Sequence, residues 1–142
     1  VSRLSRWLSV RWASLRQNGD QDPRHDLGRR GEDLAAAQLA KSSLRCIDRN
    51  VRVKGGEIDL ICEAPDGTIV FVEVKTRTGD VYRGELAINR DKRRRLLRLA
   101  QLIARKRGWL DRRLRIDVVV IVWPATGEPT VRHHPNAVTL DG

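Results

Sequence analysis

Gly56-Glu57-Ile58-Asp59-Leu60-Ile61-Cys62-Glu63-Ala64-Pro65-Asp66-Gly67-Thr68-Ile69-Val70-Phe71-Val72-Glu73-Val74-Lys75 is the stretch whose reading decides the fold. Its middle, Ala64 to Thr68, carries turn chemistry: proline presets one backbone angle, while aspartate and glycine accept the tight conformations beside it. Glu57 to Cys62 on one side and the β-branched run Ile69 to Lys75 on the other read as strands, so the whole is a hairpin. With the turn centred on Asp66, Asp59 stands opposite Glu73, Glu57 opposite Lys75 and Ile61 opposite Phe71. Alternate side chains leave a strand on one face. Asp59, Glu73 and Lys75 therefore project together, with directly opposed Cβ atoms roughly 4.5–5.5 Å apart.

Two carboxylates about 4 Å apart repel by up to about 4 kcal/mol at an effective dielectric of about 20, so the pair calls for a cation. Lys75 can be that cation alone. Hard oxygen ligands from two acids, with coordination positions left open, also describe a Mg²⁺ site of the kind that acts on phosphates, with Mn²⁺ as a substitute. Ile69 to Val74 is too apolar for an edge strand washed by solvent, and charges within such a run need partners. The plainer reading is an ordinary Glu-Lys alternation on a half-exposed hairpin.

Working outward, the Ala-, Leu- and Glu-rich segment from Asp26, in the N-cap position, to about Ser42 reads as a helix. There Glu32 shares a face with Gly28, Ala35, Ala36 and Leu39, small residues that let a helix approach a sheet, while Leu27 and Leu34 fall on the other side and leave the orientation open. Leu44 to Lys54 alternates as a strand and is closed by Gly55-Gly56. Beyond the hairpin, Thr76 to Asn89 reads as an irregular loop. Arg90 to Arg107 follows as a long basic helix, with Leu96, Leu99, Ala100 and Ile103 at helical spacing. Ile116 to Trp123 is a buried strand, and Thr130 to His133 a short edge strand. Helix, three strands, helix and strand make an α/β layered architecture. At 142 residues the chain suits one domain, residues 26–142, preceded by a basic N-terminal extension, 1–25, with a loosely helical amphipathic pattern.

The formal net charge is +10, and its placement is more telling than its size. Arg90 to Arg115 holds twelve basic side chains against Asp91 and Asp111, and the rest of the chain balances. A concentrated basic segment suits a polyanion, so nucleic acid is the leading partner, with DNA ahead of RNA and phosphate contacts assigned to Arg77, Arg83, Lys92, Arg93 and Arg94. No apolar run approaches the roughly 20 residues that cross a bilayer, and leucines and tryptophans are not arrayed opposite the charges as a membrane surface requires. Cys46 and Cys62 lack the spacing of a zinc or disulfide framework and fit small packed residues in a reducing, cytoplasmic setting. His133-His134 with Asn136 superficially suggests a metal site, but adjacent strand residues point to opposite faces. Arg115 and Asp117, on a buried strand, read as a structural ion pair or a helix-capping pair ahead of groups that tune the site.

Gly28-Arg29-Arg30-Gly31-Glu32, Asn50, Gly56-Glu57-Ile58-Asp59-Leu60, Phe71-Val72-Glu73-Val74-Lys75-Thr76-Arg77, Lys92 and Arg115-Ile116-Asp117-Val118 together resemble the PD-(D/E)XK, or restriction-endonuclease-like, nucleases. They are more closely similar to the bacterial YraN family, uncharacterised protein family 0102. The resemblance runs roughly from Asp26 to Val122 and departs at Ile58, where the motif name has proline. It implies a mixed central β-sheet flanked by helices, a likeness to archaeal Holliday-junction resolvases, and metal-dependent cleavage of DNA, branched or single-stranded DNA included. By that likeness Asp59 and Glu73 bind the metal, Lys75 stabilises charge and orients water, and Glu32 completes the acidic cluster. Neighbouring carboxylates are expected to raise the Lys75 pKa. A non-catalytic DNA- or RNA-binding module, and an accessory protein keeping the fold, are the alternatives; a homodimer fits any of these.

Overall fold

Pro23 opens the first helix, since its fixed φ suits a first helical position and its missing N–H is not needed there. In the computed structural model, which describes residues 23–79 and 88–139, helix α1 spans Pro23–Lys41. Asp26 is thus not the N-cap expected from sequence; it lies within the first turn and faces Arg30 at 3.8 Å. Strands β1 (Arg45–Val53), β2 (Gly56–Glu63) and β3 (Ile69–Thr78) follow, then helix α2 (Arg90–Arg107), β4 (Leu114–Trp123) and β5 (Thr130–Val138). Residues 1–22 of the expected extension, and Arg83, lie outside the described residues.

Among the described residues the sheet has five strands in chain order, antiparallel except for the parallel pair β3–β4. Parallel neighbours need a crossover, and α2 lies within it. β3 is paired with β4 over its whole length, from Ile69–Leu114 to Thr78–Trp123. That pairing carries it three residues past Lys75, where a loop was expected from Thr76. β5 likewise runs beyond His133 to Val138; Pro135 is tolerated because β5 is an edge strand.

Each helix covers one face. Leu34, Ala35 and Leu39 of α1 pack on Leu60, Cys62, Val70, Val72, Val119 and Ile121. Leu96, Leu99, Ala100 and Ile103 of α2 pack on Ile58, Ile61, Ile69, Phe71 and Ile116. Burial on both faces explains why β3 and β4 read as nearly continuous apolar runs. This α/β/α arrangement is the mixed sheet flanked by helices that the nuclease resemblance implied. It also settles α1: Leu34 and Leu39 both face the core, and Gly31 lies so close to β3 that a Cβ there would fall 2.6 Å from Thr76 Oγ1.

Candidate active site

The β2–β3 ladder pairs Glu63 with Ile69, Cys62 with Val70, Ile61 with Phe71 and Leu60 with Val72. This is the register expected from the turn at Asp66, but the ladder pairs do not extend to Asp59–Glu73 or Glu57–Lys75. Instead the Asp59 carboxylate replaces a backbone acceptor, its Oδ2 taking the Val74 N–H at 2.8 Å. Glu57 turns to β1, where Arg52 Nε donates to it at 2.9 Å. The expected convergence of Asp59 and Glu73 survives as a charge interaction. Burial, followed by the charge of Glu73, pushes the Asp59 carboxyl up to about 7, Glu32 and Glu57 adding to the effect while the Val74 N–H opposes it.

Glu32 reaches this acidic group from α1. Burial raises its pKa, the side chain of Asn50 offsets part of the effect, and Glu57 adds to it. Asn50 holds a left-handed φ of 50° in β1, and beside it Arg49 binds Asp33 of α1. These two β1 residues therefore meet the helix where it presents Glu32, a role that the alternation of β1 did not announce; the signal available was an asparagine inside a strand, where its tolerance of left-handed backbone is of use.

Lys75 is buried, with 6% of its surface exposed. Its pKa is lowered, first by burial and then by Lys92 and Arg77, with Glu73 opposing. The upward shift expected from nearby carboxylates is thus reversed, because desolvation and two cations outweigh one acid. Lys92, assigned to phosphate, has its ammonium 2.8 Å from Glu73 Oε1. It sits in the first turn of α2, where the side chain of Asn89 caps the helix by accepting the Lys92 backbone N–H at 2.8 Å. Of the remaining basic candidates, Arg77 and Arg94 are exposed and Arg93 is half-buried.

Carboxylate oxygens are the donor type that a hard divalent cation takes. Asp59 and Glu73 offer carboxylate oxygens, and the raised Asp59 pKa reflects first its burial and then the charge of Glu73. Among the described residues no group of three or more His, Cys, Asp or Glu side chains is disposed to hold a metal.

A second polar cluster is structural. Asp117 is wholly buried and accepts from Arg115 Nε and Nη2 at 2.8 and 2.9 Å and from the Asn136 N–H at 2.8 Å, with His133 Nε2 at 2.7 Å. It pins β5 across a register shift in β4–β5, beside the left-handed Asn136. This is the ion pair expected of Arg115 and Asp117, and it gives His133 a carboxylate partner. No helix among the described residues is long and apolar enough to cross a membrane.

The family model for uncharacterised protein family UPF0102 matches residues 31–121. A UPF0102 protein of Anaeromyxobacter dehalogenans is 44% identical over 126 residues, covering 87% of this chain and 92% of that protein. One of Geobacter sulfurreducens is 44% identical over 116 residues, covering 80% and 89%. Among solved structures, a repair endonuclease from Pyrococcus abyssi aligns with a TM-score of 0.41 at 14% identity, over 78% of this chain and 42% of that one. SfsA of Pyrococcus furiosus in complex with Ca²⁺ aligns with a TM-score of 0.39 at 18% identity, over 78% and 63%.

Proposed function

The chain belongs to the uncharacterised protein family UPF0102, and from that premise we propose that it is a metal-dependent endonuclease hydrolysing phosphodiester bonds in DNA, branched or single-stranded DNA included. One observation supports the reading: Asp59 of β2 feels the charges of Glu73 of β3 and of Glu32 from α1, and Glu73 also acts on Lys75, which Lys92 of the basic helix α2 opposes. Mg²⁺ bound there would polarise the scissile phosphate and lower the pKa of a coordinated water. Asp59 and Glu73 are the residues to hold the ion. Lys75 places a positive charge where negative charge grows on the phosphoryl oxygens, and Glu32 adds to the acidic field that draws a cation in. Arg77, Arg93 and Arg94 bind flanking phosphates in this reading, contacts that fix register without reading sequence.

The Lys92–Glu73 ion pair supports a second reading, a DNA- or RNA-binding module without catalysis, because an ammonium already neutralises one of the two metal-binding carboxylates. Incubation with linear, single-stranded and four-way-junction DNA in Mg²⁺ or Mn²⁺ separates the two. Cleavage that is lost in Asp59→Ala and Glu73→Ala while DNA affinity persists supports the nuclease. Cleavage unchanged by both substitutions defeats the assigned site. Salt-dependent binding without cleavage supports the binding module, and no affinity even at low ionic strength leaves the accessory-protein reading.

A further inference from the structure

The two cysteines meet on the β1–β2 pair, with Cys62 in the core that α1 covers. Cys46 of β1 and Cys62 of β2 are direct cross-strand partners. Both are free thiols. Directly opposed residues in an antiparallel pair have Cα atoms roughly 4.5 or 5.5 Å apart, and either value lies within the range of roughly 4.4–6.8 Å that a disulfide spans. The two thiols can thus be joined without moving either strand far.

Their surroundings differ in a way that assigns each a role. Cys46 is half-buried, its thiol donating to the Asp48 carbonyl at 3.4 Å, whereas Cys62 is fully buried in the α1-facing core. The neighbouring Cys62 thiol draws the Cys46 thiol down, and Arg49 assists against the effect of burial. The same contact together with burial pushes Cys62 up. Thiolate character and access decide which thiol reacts with an oxidant, and a neighbouring thiol decides whether the product is captured.

We propose that Cys46 and Cys62 form a hydroperoxide-reactive pair, Cys46 attacking the peroxide and Cys62 resolving the product to a disulfide that bridges β1 and β2. With hydrogen peroxide, Cys46 sulfur takes one oxygen to become the sulfenic acid, the O–O bond breaks, and the other oxygen leaves as water. Cys62 sulfur then attacks Cys46 sulfur, the S–O bond breaks and a second water leaves. Two thiols are oxidised by two electrons in total and one peroxide is reduced to two waters. The bridge fixes the end of β1 beside Arg49, which also binds Asp33 of α1.

The test is hydrogen peroxide titration of the full chain with intact-mass and non-reducing peptide analysis. The expected product is lighter by two hydrogens and carries a peptide joining Cys46 to Cys62. In Cys62→Ser, Cys46 should accumulate as a sulfenic acid trapped by dimedone; in Cys46→Ser, Cys62 should react at least about tenfold more slowly than Cys46 does. Circular dichroism verifies that the variants fold, and the wild-type peptide map does not depend on them. Disulfide-linked dimers, over-oxidation of Cys46 without a bridge, or thiols that survive peroxide sufficient to oxidise free cysteine would each overturn the proposal.

Discussion

Asp59→Asn is expected to stabilise the metal-free protein at neutral pH while changing little in acid. An aspartate in an unfolded chain has a pKa of about 3.9, whereas burial and the charge of Glu73 hold folded Asp59 at about 7. Between those values the folded state keeps a proton that the unfolded state has released, so stability falls as pH rises. The contribution of Asp59 is therefore whole below pH about 4 and is lost as pH climbs through about 7. Three decades of proton affinity correspond to about 4 kcal/mol, an upper bound because the strands can relax around the charge. Asparagine does not titrate, and its side-chain oxygen can still accept the Val74 N–H that Asp59 Oδ2 now takes. Urea unfolding of both proteins at intervals from pH 4 to 8, at constant salt with a chelator present, reads the difference directly. Curves that nearly coincide at pH 4 and separate by about 1.4 kcal/mol per pH unit up to neutrality match the expectation. A pH-independent difference, or a variant less stable than wild type at pH 8, would refute it.

Lys92→Met removes the ammonium from Glu73 and should tighten Mn²⁺ binding about tenfold, the size of a typical coupling of about 1.4 kcal/mol; calorimetric titration checks this, and unchanged affinity counts against Lys92 as a competitor for the site. Gly31→Ala sets a methyl group 2.6 Å from Thr76 Oγ1 and should cost about 1–3 kcal/mol in denaturant unfolding. Adding Thr76→Ala should recover part of that loss, and strict additivity would show that the two positions do not meet. Asp117→Asn leaves Arg115 and His133 without their carboxylate and should destabilise by about 3 kcal/mol, lowering the melting temperature without altering DNA affinity.

The two basic-helix termini illustrate how much was legible. Arg90 and Arg107 mark the ends of α2 both in the apolar periodicity and in the structure, because Asn89 caps one end and the left-handed Gly108 closes the other. Such signals act between residues a few positions apart. Asp26 misled for the complementary reason: a good capping residue stood three positions inside a helix that a proline had already begun. The four-residue register from Glu63–Ile69 to Leu60–Val72 was likewise legible from the turn alone. The replacement of the next rungs by a side-chain acceptor was not, since nothing in the spacing distinguishes an Asp59 that faces Glu73 from one that takes the Val74 N–H. Asn50 as the partner of Glu32 was not legible either.

By itself the sequence determined the order and type of the elements, the turn at Asp66, the apolar stripe of α2 and the concentration of positive charge between Arg90 and Arg115. Periodicity, capping and turn preference are properties of neighbours along the chain. Only the tertiary structure decided which charges oppose which: that Lys92 faces Glu73, that burial together with Lys92 and Arg77 lowers Lys75 against the pull of Glu73, and that Cys46 meets Cys62. A charge's energy depends on distance and on the water removed around it, and both are set by packing between segments remote in the chain.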